Sequence, residues 1–166
     1  MTLLGCVGCD QASKSLARSF LEIGGTKTMF HDALRLQLTE NAGAFLSLGA
    51  SLSNDLRFAL FIAAIGVLLM GLVMVALFAR RLQPWKIVAI LLIAGGGTSN
   101  LFDRIIHNGR VTDFINVGIG SLRTGIFNFA DMAIMAGAIL LIVGNHVAAA
   151  SHDRIERTRG SGSKRH

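Results

Sequence analysis

The chain has 166 residues, 52% of them hydrophobic and only 16% charged, with a formal net charge of +6. A soluble domain carries about 25% charged residues, and the deficit here is concentrated: Phe58 to Ala79, Ile87 to Phe102 and Met132 to Ser151 contain no Asp, Glu, Lys or Arg. Roughly 20 apolar residues of helix cross a hydrocarbon core about 30 Å thick, so three such windows exclude a water-soluble domain and indicate a polytopic membrane protein.

The first span runs from Met1 to about Phe20 and is the weakest, because its apolar part stops at Cys9 and Asp10, Lys14 and Arg18 follow. Nine residues of helix reach only about 14 Å, which leads us to expect further residues upstream of Met1. Cys6 and Cys9 have C-x-x-C spacing but lie in an apolar stretch, and read as two small residues on a membrane helix. Asp10 and Lys14 stand four apart with the acid first, the favourable order for a helical ion pair.

The first outer loop extends from Ile23 to Asp55. Within it Leu34-Arg35-Leu36-Gln37-Leu38-Thr39 alternates apolar and polar residues, the period of a half-buried strand, between Gly24-Gly25 and Asn41-Ala42-Gly43. The second span is Leu56 to Phe78. Arg80, Arg81 and Lys86 crowd the turn to the third span, Trp85 to about Ile106. That span carries Gly95-Gly96-Gly97, which allow close helix approach, and then Asp103-Arg104, adjacent residues that must each find a partner elsewhere.

A second outer loop, His107 to Ile126, contains Asp113 between Val111 and Phe114-Ile115, and the fourth span, Phe127 to about Val147, opens on Asp131. Arg154, Arg157, Arg159, Lys164 and Arg165 close the chain. The cations flanking the second-to-third turn and ending the chain act as topology determinants, which argues against nucleic acid as the partner. They predict cytoplasmic N- and C-termini, with both longer loops outside. The expected fold is an all-α membrane protein of four transmembrane helices with a small β-sheet element in the first outer loop. Residues 1–150 form one domain, and 151–166 a basic, disordered cytoplasmic tail.

Charges within membrane spans are costly and mark a bundle interior, a cavity or a partner. Asp113 and Asp131 stand out because both fall on the outer side, eighteen residues apart, and no cation lies within a turn of Asp131. Two convergent carboxylates in a restricted site do not both ionise easily, and such a pair can activate water with one member and polarise a peptide carbonyl with the other. The five His (31, 107, 146, 152 and 166) form no ligand spacing near the pair, so no metal or other cofactor is expected. The residues by themselves leave two readings level, a carboxylate-pair hydrolase and a proton-coupled small membrane transporter.

The ordered motifs separate them. Asp10-Gln11-Ala12-Ser13-Lys14, Asn41-Ala42-Gly43-Ala44-Phe45, Gly96 to Arg104, Gly109-Arg110-Val111-Thr112-Asp113-Phe114 and Phe127-Asn128-Phe129-Ala130-Asp131 follow one another in the chain. In order, spacing and helix context the sequence resembles the bacterial lipoprotein signal peptidases (signal peptidase II), from about Asp10 to Ile142. The resemblance implies an aspartic endopeptidase of the bacterial cytoplasmic membrane, with its active site at the outer face. Its substrate would be a diacylglyceryl-modified prolipoprotein, cut on the amino side of the lipidated cysteine. Asp113 and Asp131 would be the catalytic residues. Asn41, Gly43, Asn100, Arg104 and Asn128 would bind substrate or orient the carboxylates, and Asp10, Lys14 and Asp103 would support the architecture. It further implies a monomer in contact with membrane lipid, no metal, and inhibition by globomycin.

Overall fold

The N-terminal residues form one helix, α1 (Thr2–Phe20), in the computed structural model, which describes residues 1–22, 24–41, 53–79 and 82–162. Its buried residues, Asp10, Lys14 and Ala17, continue to Leu21 at spacings that keep them on one face. The opposite face exposes Leu4, Cys9, Leu16 and Phe20. Two of the three ions that interrupt the apolar run, Asp10 and Lys14, are therefore turned inward, while Arg18 at the end of the helix is exposed.

Three further helices follow. Helix α2 (Asn54–Phe78) starts at Ser53, whose side chain accepts a hydrogen bond from the Leu56 amide at 3.3 Å. Helix α3 (Pro84–Ile106) begins with proline at its first position, where the missing N–H costs nothing. Helix α4 (Phe129–Gly162) is the longest. Phe58–Phe78, Pro84–Ile106 and Phe129–Ala148 are each long and apolar enough to cross a membrane. Among the described residues of α2 only Leu69 is buried, and the others are half-buried or exposed, as on a helix at the edge of a bundle.

Helices α3 and α4 run antiparallel along a seam of glycines. A Cβ on Gly96 would lie 2.3 Å from the Ala130 carbonyl oxygen. One on Gly137 would lie 2.6 Å from the Ala89 carbonyl oxygen, and one on Gly144 2.5 Å from the Trp85 ring. In a membrane, where apolar surface is no more hidden against a helix than against lipid, close backbone approach of this kind supplies the packing. The other glycines of the triplet serve the same end: Gly95 faces Cys6 and Leu3 of α1, and Gly97 faces Leu69 of α2. All three neighbours of α3 thus meet it at one level.

Four antiparallel strands cover one end of the helices in the order β1 (Thr26–Met29), β2 (Leu34–Asn41), β3 (Val111–Ile119) and β4 (Leu122–Arg123). β2 is the strand that the alternation predicts. The sheet is not confined to the first loop as expected, because the second loop contributes β3 and β4. Asp113 accordingly lies on a strand rather than in a loop, paired with Thr39 across a register shift between Leu36 and Thr39. Phe127, just before α4, bridges to Ile115 and extends this surface. Leu38, Phe114 and Ile115 pack against Ala17 and Leu21 at the end of α1, which fixes the sheet on the helices. At the far end Phe30, His31 and Asp32 turn through the left-handed region, and Asp32 accepts from Arg35 at 2.7 and 2.6 Å.

The basic segment expected as a disordered tail from 151 is helical to Gly162 as the continuation of α4. No proline interrupts it, and Ala148-Ala149-Ala150 at the junction is a strong helix-forming run.

Candidate active site

The N-terminus of α4 leaves several backbone N–H groups without intrahelical partners, and the sequence Asn128-Phe129-Ala130-Asp131 supplies two side chains to meet them. Asn128 stands just before the helix and its Oδ1 accepts from the Asp131 amide at 2.9 Å. In return the Asp131 carboxylate accepts through Oδ2 from the Asn128 amide at 3.2 Å. This reciprocal pair is a capping box with Asn and Asp in place of the commoner Ser and Glu. It holds Asp131 in the first turn, where the positive end of the helix favours a negative charge.

Because Oδ1 of Asn128 is committed to that amide, its Nδ2 must point away from it. It donates to Asp113 Oδ1 at 2.6 Å and also approaches Asn100 Oδ1 at 3.2 Å and the Thr112 carbonyl at 3.3 Å. The other oxygen of Asp113 accepts from Asn41 Nδ2, at the last residue of β2, at 2.8 Å. Asp113 is 1% exposed. Burial pushes its carboxyl up from the ordinary 3.8 to about 6, and the nearby Asp131 charge adds to the rise, while the hydrogen bonds from Asn41 and Asn128 work against it.

Asp131 is held from a second side by α3, where Asn100 Nδ2 donates to its Oδ1 at 2.8 Å. Asn100 is itself oriented by Lys14, whose ammonium donates to Asn100 Oδ1 at 3.0 Å. One turn further along α3, the Arg104 guanidinium donates to the Asn100 carbonyl at 3.2 Å, and it feels the charges of Asp131, Asp113 and Asp103. Each carboxylate of the pair therefore accepts one donor on each oxygen, with remaining lone pairs for a water or a substrate group. Such a pair can hold one proton between two carboxyls and pass it to or from a bound molecule.

The sequence places Asp10 and Lys14 as an ion pair, and they meet at 2.6 Å. Asp103 finds its partner in the same ammonium at 3.0 Å. Glu40, beside Asn41, pairs with Arg110 at 2.8 Å, and that hydrogen bond holds its carboxyl below the ordinary range. Asn41, Asn100, Arg104, Asn128, Asp113 and Asp131 are thus all brought to one end of the bundle. Gly43 and the rest of residues 42–52 lie outside the described residues.

Three participants escape the sequence reading. Ser99 donates to Asp10 at 2.7 Å, Gln11 donates to Asp103 at 2.8 Å, and Arg18 donates to the Thr112 hydroxyl. Gln11 and Ser99 are polar residues at helical positions in contact with other helices, and that signal was available in the sequence. Arg18, at the end of α1, looks like any solvated cation until β3 is laid beside it.

Residues 2–146 match the family model described as signal peptidase (SPase) II. Similar proteins include a lipoprotein signal peptidase of Hydrogenovibrio crunogenus, 35% identical over 147 residues that cover 87% of this chain and 83% of that one. Another, from Cronobacter sakazakii, is 35% identical over 135 residues, covering 81% of this chain and 79% of its own. A bacterial membrane enzyme solved by the in meso method at 2.3 Å is similar in structure, with a TM-score of 0.73 and 27% identity over 90% of this chain and 88% of that chain.

Proposed function

The chain belongs to the signal peptidase II family, and on that premise we propose that it is an aspartic endopeptidase using Asp113 and Asp131 to remove the signal peptide from diacylglyceryl-modified prolipoproteins, cutting on the amino side of the lipidated cysteine. The observation that carries this reading is the position of Asn128, which bonds both aspartates at once, at 2.6 Å to one side chain and 2.9 Å to the amide of the other. Two carboxyls from different elements, held in register by a single amide, suit proton transfer to and from one bound peptide group.

Burial favours Asp113 as the member that holds a proton at rest. Asp131 then takes a proton from water as the water oxygen bonds to the scissile carbonyl carbon, and Asp113 gives its proton to the carbonyl oxygen. Collapse of the tetrahedral intermediate breaks the C–N bond. The carboxyl proton on Asp131 passes to the leaving amine, and a hydroxyl proton returns to Asp113. Asn41, Asn100 and Asn128 keep the four carboxyl oxygens oriented, while Arg104 stands ready for the substrate backbone. Gly43 keeps its expected part in binding substrate or orienting the carboxylates. No metal or organic cofactor takes part in this scheme.

The reading extends to the membrane. Helix α1 serves as a fourth span, since Asp10 and Lys14 are fully buried and its outer face exposes Leu4, Leu16 and Phe20. The ends of α1 and α3 and the start of α4 gather under the sheet, which supports cytoplasmic termini and an active site at the outer face of the bacterial cytoplasmic membrane. The enzyme works as a monomer in contact with lipid, and globomycin occupies the substrate groove.

Purified Asp113→Asn and Asp131→Asn variants, given a diacylglyceryl-modified precursor, are each expected to lose cleavage by roughly three orders of magnitude or more. Parental cleavage by either variant overturns the pair assignment. Equal cleavage of unmodified precursor overturns the substrate class.

A further inference from the structure

Behind the aspartate pair lies a second ionic cluster that takes no part in the chemistry proposed above. Asp10, Lys14 and Asp103 have no solvent exposure. One carboxylate would already neutralise Lys14, so the second is excess negative charge in the interior. Buried ions are tolerated only where hydrogen bonds occupy them fully, and the way these two are occupied is closely matched.

Asp10 Oδ2 accepts from Lys14 Nζ at 2.6 Å and from Ser99 Oγ at 2.7 Å, and its Oδ1 accepts from the Ala130 amide at 2.8 Å. Asp103 Oδ2 accepts from Lys14 Nζ at 3.0 Å and from the Thr112 amide at 3.1 Å, and its Oδ1 accepts from Gln11 Nε2 at 2.8 Å. Each carboxylate therefore takes the ammonium, one neutral side chain and one backbone N–H. The backbone groups are those of Ala130 and Thr112, the residues immediately before Asp131 and Asp113. The third Lys14 donor goes to Asn100 Oδ1, which leaves Asn100 Nδ2 facing Asp131.

We propose that Asp10, Lys14 and Asp103 are positioning residues that set the separation of the two aspartates. Lys14 fixes the distance between the two inner carboxylates, and each of these fixes the backbone beneath one outer carboxyl. The Ala130 amide, at the second position of α4, has no partner within its own helix, so Asp10 ties that turn to α1, beside the cap that Asn128 and Asp131 form between themselves. The inference rests on the Asp113–Asp131 reading for its catalytic consequence, but its geometric content is separate.

The test is hydrogen exchange of the full-length protein in detergent, read by mass spectrometry on segments around Thr112-Asp113 and Ala130-Asp131, beside cleavage kinetics. Asp10→Ala is expected to speed exchange at 130–131 and leave 112–113 unchanged. Asp103→Ala is expected to do the reverse, and Lys14→Met to speed both. In each variant kcat should fall at least 10-fold with KM within 3-fold of the parent. Should these variants fail to fold, Ser99→Ala removes one neutral donor from Asp10, and the same selective rise at 130–131 is expected at smaller size. Gln11 is left intact, because its Nε2 donates to Ser99 Oγ at 2.9 Å as well as to Asp103 at 2.8 Å and so serves both arms.

Equal loosening of both segments by the single-carboxylate variants or by Ser99→Ala shows a general brace and overturns the proposal. So does the absence of any change in exchange, and so does a loss confined to KM. If Asp113→Asn or Asp131→Asn cleaves normally while exchange follows the selective pattern, the peptidase assignment of the pair fails and the positioning geometry stands.

Discussion

Asn128 and Asp131 cap the same helix reciprocally: the side chain of each accepts the other's backbone N–H, at 2.9 and 3.2 Å. The cap and the proposed catalytic pair therefore share an atom group, because Asn128 reaches Asp113 only with the nitrogen that the cap leaves free. Removing Asn128 has two separable effects. Asn128→Ala is expected to lower stability by about 1 kcal/mol through loss of the cap and cleavage by roughly 100-fold through displacement of the carboxyls. Asn128→Ser restores an acceptor for the Asp131 amide but cannot span to Asp113, so thermal stability should recover while kcat does not. Joint recovery of both would separate Asn128 from the chemistry.

The burial of Asp113 makes its charge a stability liability at neutral pH. Its carboxyl is held at about 6 in the folded protein against an ordinary 3.8. A group raised by folding contributes stability that is complete below the lower value and lost as pH climbs through the higher one. Above pH 6 the ionised form thus costs the fold up to about 3 kcal/mol at 1.36 kcal/mol per pH unit. Asp113→Asn removes that charge, at the expense of one mismatched donor from Asn41 or Asn128. The variant is expected to be inactive yet to unfold at a higher temperature than the parent at pH 7.5, and to lose the advantage at pH 4. Melting curves in detergent at the two pH values check this. An advantage that grows toward low pH would contradict the assignment.

Gly96 and Gly66 separate packing from helix propensity. A methyl at Gly96 meets the Ala130 carbonyl oxygen at 2.3 Å and Ile134 Cγ1 at 2.9 Å, so α4 must move away from α3. Gly96→Ala is expected to destabilise by about 1–3 kcal/mol and to abolish cleavage, because the Asn100–Asp131 hydrogen bond crosses that seam. At Gly66 on α2 nothing lies within 4 Å, and Gly66→Ala should leave melting temperature and cleavage near the parental values. The comparison needs only the two purified variants, melting curves and one cleavage assay.

Much of this arrangement is legible in one dimension because membrane physics makes ions conspicuous. Asp113, Asp131, Asp103 and the Asp10–Lys14 pair are visible as charges where charges are costly, and the β2 strand shows through its alternation. The β3 strand does not. Thr112, Asp113 and Asn116 break its pattern with polar residues that are buried and bonded, so periodicity fails there for a functional reason. Its partner β2 lies some seventy residues away, a pairing no local pattern reveals. The first helix shows in the sequence as a short apolar run broken by Asp10, Lys14 and Arg18, and hydropathy along the chain does not reveal that Asp10 and Lys14 occupy a buried inner face. The Asn128–Asp131 cap was open to local reading, since an Asn three residues before an acid at a helix start is a capping signature.

The hydrogen bond from the Ala130 amide to Asp10 joins residues 120 positions apart, and this bears on biosynthesis. Ribosomes deliver the N-terminal helix first. Asp10 and Lys14, four apart, can neutralise each other as soon as α1 coils, before any later helix is made. The oxygen meant for Ala130 then waits for the final helix. A chain halted before α4 carries Asp113 but not Asp131, so the bond that joins the first helix to the last, and with it the proposed catalytic pair, forms only once synthesis reaches α4.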